Sequence, residues 1–166
     1  MVKLPQFLPP MLELDGSWED VLNRLYSVFK RDFIDSHILC GASKIIYDKR
    51  KIDTCKEEAF WHLITKHDRN MGRIPDYERA RRLPWVKPII QDYRNADIKV
   101  WDYPGKKNRI RIYLWLENYD YAVILEKNKG KRKHLLTLIT AFYVEERKKR
   151  DLIRRYQKRI RNGKQK

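Results

Sequence analysis

The sequence is short of the residues from which most small metal and redox sites are built. Of 166 residues only two are cysteine, Cys40 and Cys55, too few for a disulfide scaffold or for a zinc site of their own. Both read as packing residues in a reduced compartment. Neither CxxC nor HExxH occurs, and no carboxylate-rich cluster of the kind that two-metal nucleases need. His62 and His67 stand five apart, a rotation of about 140° on a helix, so they do not converge on one ion. Asp97-x-Lys99 resembles half of a restriction-type D-x-K element but lacks a convincing partner acid. The expectation is a protein with neither metal nor cofactor.

Long apolar runs are missing as well. No stretch approaches the roughly 20 apolar residues of a membrane span, and MVKLPQFLPP lacks the uninterrupted apolar core of a signal peptide. A cytoplasmic protein with no membrane partner is expected. There are no internal repeats and no Gly/Ser linker, so the length favours one domain with a core of its own.

Acidic residues are outnumbered: 22 Asp+Glu face 38 Lys+Arg, a formal +16 with a sequence pI near 9.9. Such a surface attracts polyanions, and nucleic acid is the partner that fits it best. With 42% hydrophobic and 12% aromatic residues, the chain should nevertheless fold.

Residues 1–16, with Pro5, Pro9 and Pro10, read as an irregular lead-in. Ser17 and Asp20 then open an amphipathic helix carrying Val21, Leu22, Leu25, Val28 and Phe29 at helical spacing. SKIIYDKRK after Gly41 suggests a short strand. A second helix is expected from Lys56 to His67, ended by Met71-Gly72 and Pro75. A third begins near Asp76 and is broken by Pro84 and Pro88. From Ile98 the texture changes to strands. IKVWDY, RIRIYLWLE, YAVILE and HLLTLITAFYV are separated by turns, and the second alternates strictly, with Ile110, Ile112, Leu114 and Leu116 on one face. The expected fold is α+β: N-terminal helices packed on a four-stranded antiparallel β-meander, all within a single domain of residues 17–145. Residues 146–166 form a basic C-terminal helix and tail; from Glu145 onward, 11 Lys/Arg stand against 3 Asp/Glu, half the net charge of the chain.

The stretch FWHLITKHD concentrates candidate chemistry. His62 and Lys66 are i, i+4 on the expected helix, His67 is next to Lys66, and Arg69 and Arg73 follow. Metal-free RNA cleavage needs a base for the 2′-OH proton, an acid for the leaving 5′-oxygen and a cation for the developing phosphorane charge. His, Lys and Arg supply all three. A histidine beside Trp61 and Leu63 is equally well read as a packed core residue. Trp101, Tyr103, Tyr113 and Trp115 fall among Lys99, Arg109 and Arg111, either as a base-stacking platform on the open face of the sheet or as rings packed under the C-terminal helix. Thr137 and Thr140 lie in the last strand, where one hydroxyl beside a basic groove would hold a phosphate oxygen, and Tyr143 closes that strand as a further candidate nucleic-acid contact.

The order of helices, a His/Lys-bearing segment and a meander ending in a Thr-Ala-aromatic strand resembles the barnase-EndoU-colicin-RelE group of ribonucleases, and more narrowly its prophage-borne branch. FWHLITKHD, RIPDYERARRLPWVKPII, IRIYLWLE and ITAFYV carry the resemblance, over roughly residues 58–145. It implies a metal-independent endoribonuclease that leaves a 2′,3′-cyclic phosphate, frequently a toxin acting on tRNA or mRNA and held in check by an antitoxin or immunity protein. Carried onto this sequence, His62 or His67 would be the general acid/base, Lys66 and Arg73 would stabilise phosphate charge, Thr140 would orient it, and Arg79, Arg82 or Arg111 would complete the site. His134 is the one further histidine near the sheet. The alternative from another class is a non-catalytic basic RNA- or DNA-binding protein, including one of phage origin, which would bind nucleic acid in a salt-dependent way and leave it intact.

Overall fold

The computed structural model describes residues 3–51 and 55–161. Ser17 caps the first helix, α1 (Trp18–Phe29), its hydroxyl accepting from the Asp20 amide. Helical chain continues through one π-type turn, Lys30–Ile34. Strands β1 (Leu39–Cys40) and β2 (Ser43–Ile46) follow, then helix α2 (Glu58–Ile64).

The second helix stops earlier than its sequence suggests. Thr65 is already extended, and β3 (Thr65–Asp68) pairs antiparallel with β4 (Gly72–Pro75) as a separate two-stranded hairpin. Two local causes are visible. The β-branched Thr65 turns its hydroxyl back to the Trp61 carbonyl, 2.5 Å away, and the Asp68 carboxylate accepts the amides of Asn70 and Met71, closing a turn. Gly72 stands at φ 74°, a conformation that costs other residues strain. His62 and Lys66 therefore belong to different elements and are not helical neighbours.

Asp76 caps the single-turn helix α3 (Tyr77–Ala80). Pro84 sits in a 3₁₀ turn, Leu83–Trp85, and α4 (Val86–Gln91) tolerates Pro88 near its start. The expected break is present, and the first piece is a single turn.

Four consecutive strands, β5 (Lys99–Pro104), β6 (Ile110–Leu116), β7 (Tyr121–Lys127) and β8 (Leu135–Tyr143), form the antiparallel meander. The sheet is nevertheless six-stranded and mixed, in the order β1-β2-β8-β7-β6-β5, which corrects the four-stranded expectation. β2 joins the start of β8 in parallel, Lys44 beside Leu135 and Ile46 beside Thr137, and covers part of an edge that would otherwise be free. Between Leu138 and Thr140 the register with β7 slips by one residue.

Both faces of the sheet are covered. Leu114, Leu116, Val123, Leu125, Leu136 and Leu138 pack against α1, α2 and α4 through Leu25, Phe29, Phe60, Leu63, Val86 and Ile90. On the other face α5 (Glu146–Gln157) lays Leu152 over Trp101, Tyr113 and Trp115. Of the two arrangements that the sequence allows for these aromatics, an open platform or rings packed under the C-terminal helix, the second is present. The burial of three large rings under α5 is the reason the second face is closed, since leaving them in water would forfeit roughly 2 kcal/mol each.

Candidate functional site

Past Thr137 the outer edge of β8 is not paired with β2, and α2 and α3 pack against β8. A cleft of about 560 Å³ opens there, lined by His62, Thr65, Lys66, His67, Arg73 and Arg79, with Glu145 and Lys148 entering from the start of α5. Four of the five expected catalytic residues thus meet in one place.

Glu58, in the first turn of α2, organises the floor. It is 7% exposed and accepts both terminal guanidinium nitrogens of Arg73, one at 3.2 Å and the other closer, the bidentate geometry that fits a carboxylate best. His62, one turn further along α2 and half exposed, brings Nε2 to 3.4 Å from the same carboxylate. Arg73 holds the Glu58 carboxyl below the usual carboxylate range, outweighing the upward push of burial. A histidine against a fixed carboxylate is an oriented acid/base group. Sequence reasoning passed over Glu58; the signal available was Glu58-x-x-x-His62, the i, i+4 spacing of one helix face.

The hairpin supplies the other wall. In its register His67 lies directly opposite Arg73, and Lys66 opposite Ile74. His67 and Lys66 are exposed.

Arg79 forms the inner end. Its side chain is only 11% exposed, and burial lowers its basicity, with Asp76 partly offsetting. Nη1 donates to the His62 carbonyl at 2.8 Å and lies 3.5 Å from the Thr140 hydroxyl. Nε stands 3.7 Å from the Asp76 carboxylate without a hydrogen bond among the described residues. Beneath it lies the fully buried Tyr121, whose hydroxyl also has no partner among the described residues and whose acidity burial suppresses. A guanidinium buried on so few hydrogen bonds keeps donor capacity for an anion. Thr140, half-buried on β8, is held beside this group and not on the cleft wall.

The remaining candidates lie elsewhere. Arg82 is buried, its guanidinium stacked 5.4 Å from Trp85 and 4.7 Å from Tyr143 and bonded to Glu78, so Arg82 and Tyr143 serve packing. Arg109 and Arg111 both turn to the buried Glu126. Trp101 and Tyr113, 3% and 4% exposed, stack on each other at 5.0 Å; Tyr156 covers the first edge-on, and Arg155 donates to the Tyr113 hydroxyl. They are unavailable to stack on bases. Thr137 is bonded to Asn128. His134 precedes the first residue of β8, six residues and about 20 Å from Thr140, away from the cleft.

Among the described residues no group of three or more His, Cys, Asp or Glu is placed to hold a metal ion, and no helix is long and apolar enough to cross a membrane. The cleft is lined by Lys66, Arg73, Arg79 and Lys148 and by two imidazoles, with Glu145 at its edge, so its charge favours an anion. No family model matches the chain, and no curated protein or solved structure does either.

Proposed function

We propose that the protein is a metal-independent endoribonuclease, toxin-like and related to the barnase-EndoU-colicin-RelE group, that cleaves RNA by acid/base transesterification. The observation carrying this reading is the meeting of His62, Lys66, His67, Arg73 and Arg79 in one open cleft, with His62 braced by the buried Glu58. His62 takes the proton from the 2′-OH, the 2′-oxygen attacks phosphorus, and the P–O5′ bond breaks. His67 gives a proton to the leaving 5′-oxygen, leaving a 2′,3′-cyclic phosphate. Arg79 and Lys66 stabilise the negative charge that builds on the non-bridging oxygens, while Arg73 stays with Glu58 and keeps the base in place. An antitoxin or immunity protein that covers the cleft would present carboxylates to it.

Purified protein incubated with total RNA in excess EDTA should generate fragments ending in cyclic phosphate, and His62→Ala and His67→Ala should each lower the rate by about 10²- to 10⁴-fold. Undiminished cleavage in both variants refutes the assignment. The rival of a non-catalytic RNA- or DNA-binding protein draws support from α5, whose exposed Arg147, Arg150 and Arg154 continue the positive surface from Lys148. It predicts binding with the RNA left intact.

A further inference from the structure

A second hollow, of about 330 Å³, lies on the far side of residues 48–51 from the cleft. Its floor is apolar, made of Phe33, Ile38, Ile45 and the ring of Tyr47; its rim carries Lys44, Lys49, Lys51 and His37. Lys49 holds its ammonium 5.5 Å above the Tyr47 ring. Among the described residues the one carboxylate of the lining, Glu57, is already bonded by the Tyr26 hydroxyl at 2.9 Å and lies 4.0 Å from Lys51. Among the described residues of the lining, three lysines around an apolar floor thus share a single acid. A purely acidic ligand would have no use for the floor, and a purely apolar one would have no use for the rim. A nucleobase with its phosphate uses both.

The strip that carries two of these lysines also borders α2, the helix of His62. The Asp48 carbonyl accepts from the Ala59 amide at 3.2 Å and the Arg50 carbonyl from the Glu58 amide at 2.8 Å, so this strip lies along the first turn of α2. Asp48 and Arg50 pair with each other there, with the Asp48 carboxylate within electrostatic reach of His62. Lys49 and Lys51, the alternate residues, line the hollow.

We infer that this hollow is a nucleotide subsite of the same RNA track, taking a base of the substrate strand against the half-buried Tyr47 ring and the exposed Ile34, with the neighbouring phosphate on Lys44 and Lys49. The inference rests on the reading of the cleft as an RNA site, and it makes the substrate a single strand that extends past the scissile phosphate. Double-stranded RNA would not fit, because its bases are stacked away from such a floor.

The test is binding by a cleavage-inert His62→Ala/His67→Ala protein, with labelled di- and hexaribonucleotides, with and without Lys44→Ala/Lys49→Ala. Both lysines are exposed, so the core is untouched, and Lys44→Arg/Lys49→Arg provides a charge-preserving control. The subsite predicts that the lysine-to-alanine pair weakens hexanucleotide binding about tenfold and lowers the salt slope by about one, leaves the dinucleotide unchanged, and is rescued by arginine. A 4-thiouridine hexanucleotide should crosslink to the peptide containing Tyr47. Equal losses for both lengths, no loss, crosslinking elsewhere, equal competition by an acidic peptide, or no RNA binding at all would overturn the inference. Length-dependent binding without cleavage by the wild type would remove the nuclease reading and leave the subsite standing; cleavage without length dependence would do the reverse.

Discussion

Arg79 reaches from α3 to the backbone of α2, its Nη1 2.8 Å from the His62 carbonyl, so the buried guanidinium and the candidate base are held in one frame. If that guanidinium receives the phosphate, Arg79→Ala should lower the single-turnover cleavage rate by about 10²- to 10³-fold, the cost of losing one preorganised donor. Arg79→Lys should not restore it, because an ammonium cannot hold the His62 carbonyl and a phosphate oxygen in the same planar fork. Rates are compared only between variants whose thermal unfolding shows a folded protein at the assay temperature.

Glu58 predicts a pH dependence of stability. Its folded-state pKa is lowered by Arg73, so its contribution is complete above the ordinary carboxylate pKa and is lost as pH falls through the lower folded value. Glu58→Gln should cost about 1 kcal/mol at neutral pH, since Arg73 is 41% exposed and the pair is partly screened. The difference in Tm between variant and wild type should shrink below about pH 4. A difference independent of pH would show that the ion pair contributes nothing. The variant should also cleave RNA more slowly, because His62 loses its brace.

Gly72 closes the hairpin that sets His67 opposite Arg73. A Cβ there would meet nothing within 4 Å, so the only penalty of Gly72→Ala is the positive φ of 74°. That penalty is about 1 kcal/mol, read as a fall in the urea midpoint. Gly72→Asn should cost less, because asparagine tolerates the left-handed region.

The rings under α5 make the opposite prediction to a stacking platform. Leu152→Ala should destabilise the fold by about 2–4 kcal/mol in urea unfolding. Trp101→Phe, checked by fluorescence anisotropy on a folded protein, should leave RNA affinity within about twofold, whereas a ring that stacked on bases would lose more.

Much of the architecture was legible because it is local. The strict alternation of residues 110–116 marks β6 and its inward face, Ser17 marks the start of α1, and Pro84 and Pro88 mark a break. The charge excess makes a polyanion the expected partner. His62, Lys66, His67 and Arg73 could be nominated because imidazoles and cations crowd one short segment.

Tertiary structure decided the rest, and the reason is distance along the chain. The parallel pairing of β2 with β8 joins residues some ninety positions apart and leaves no local periodicity. Thr65–Asp68 looks helical in isolation, yet it pairs with β4 once the Asp68 turn closes, and that strand geometry, not a helix face, sets His67 across from Arg73. The alternating aromatics of β5 and β6 fit an open or a covered sheet equally well until Leu152 and Tyr156 settle over them. Composition and periodicity thus determined which residue types were present and which elements were amphipathic. Only the packing of α5 against the sheet and of α2 against the hairpin decided which cations are spent on structure and which still face the cleft.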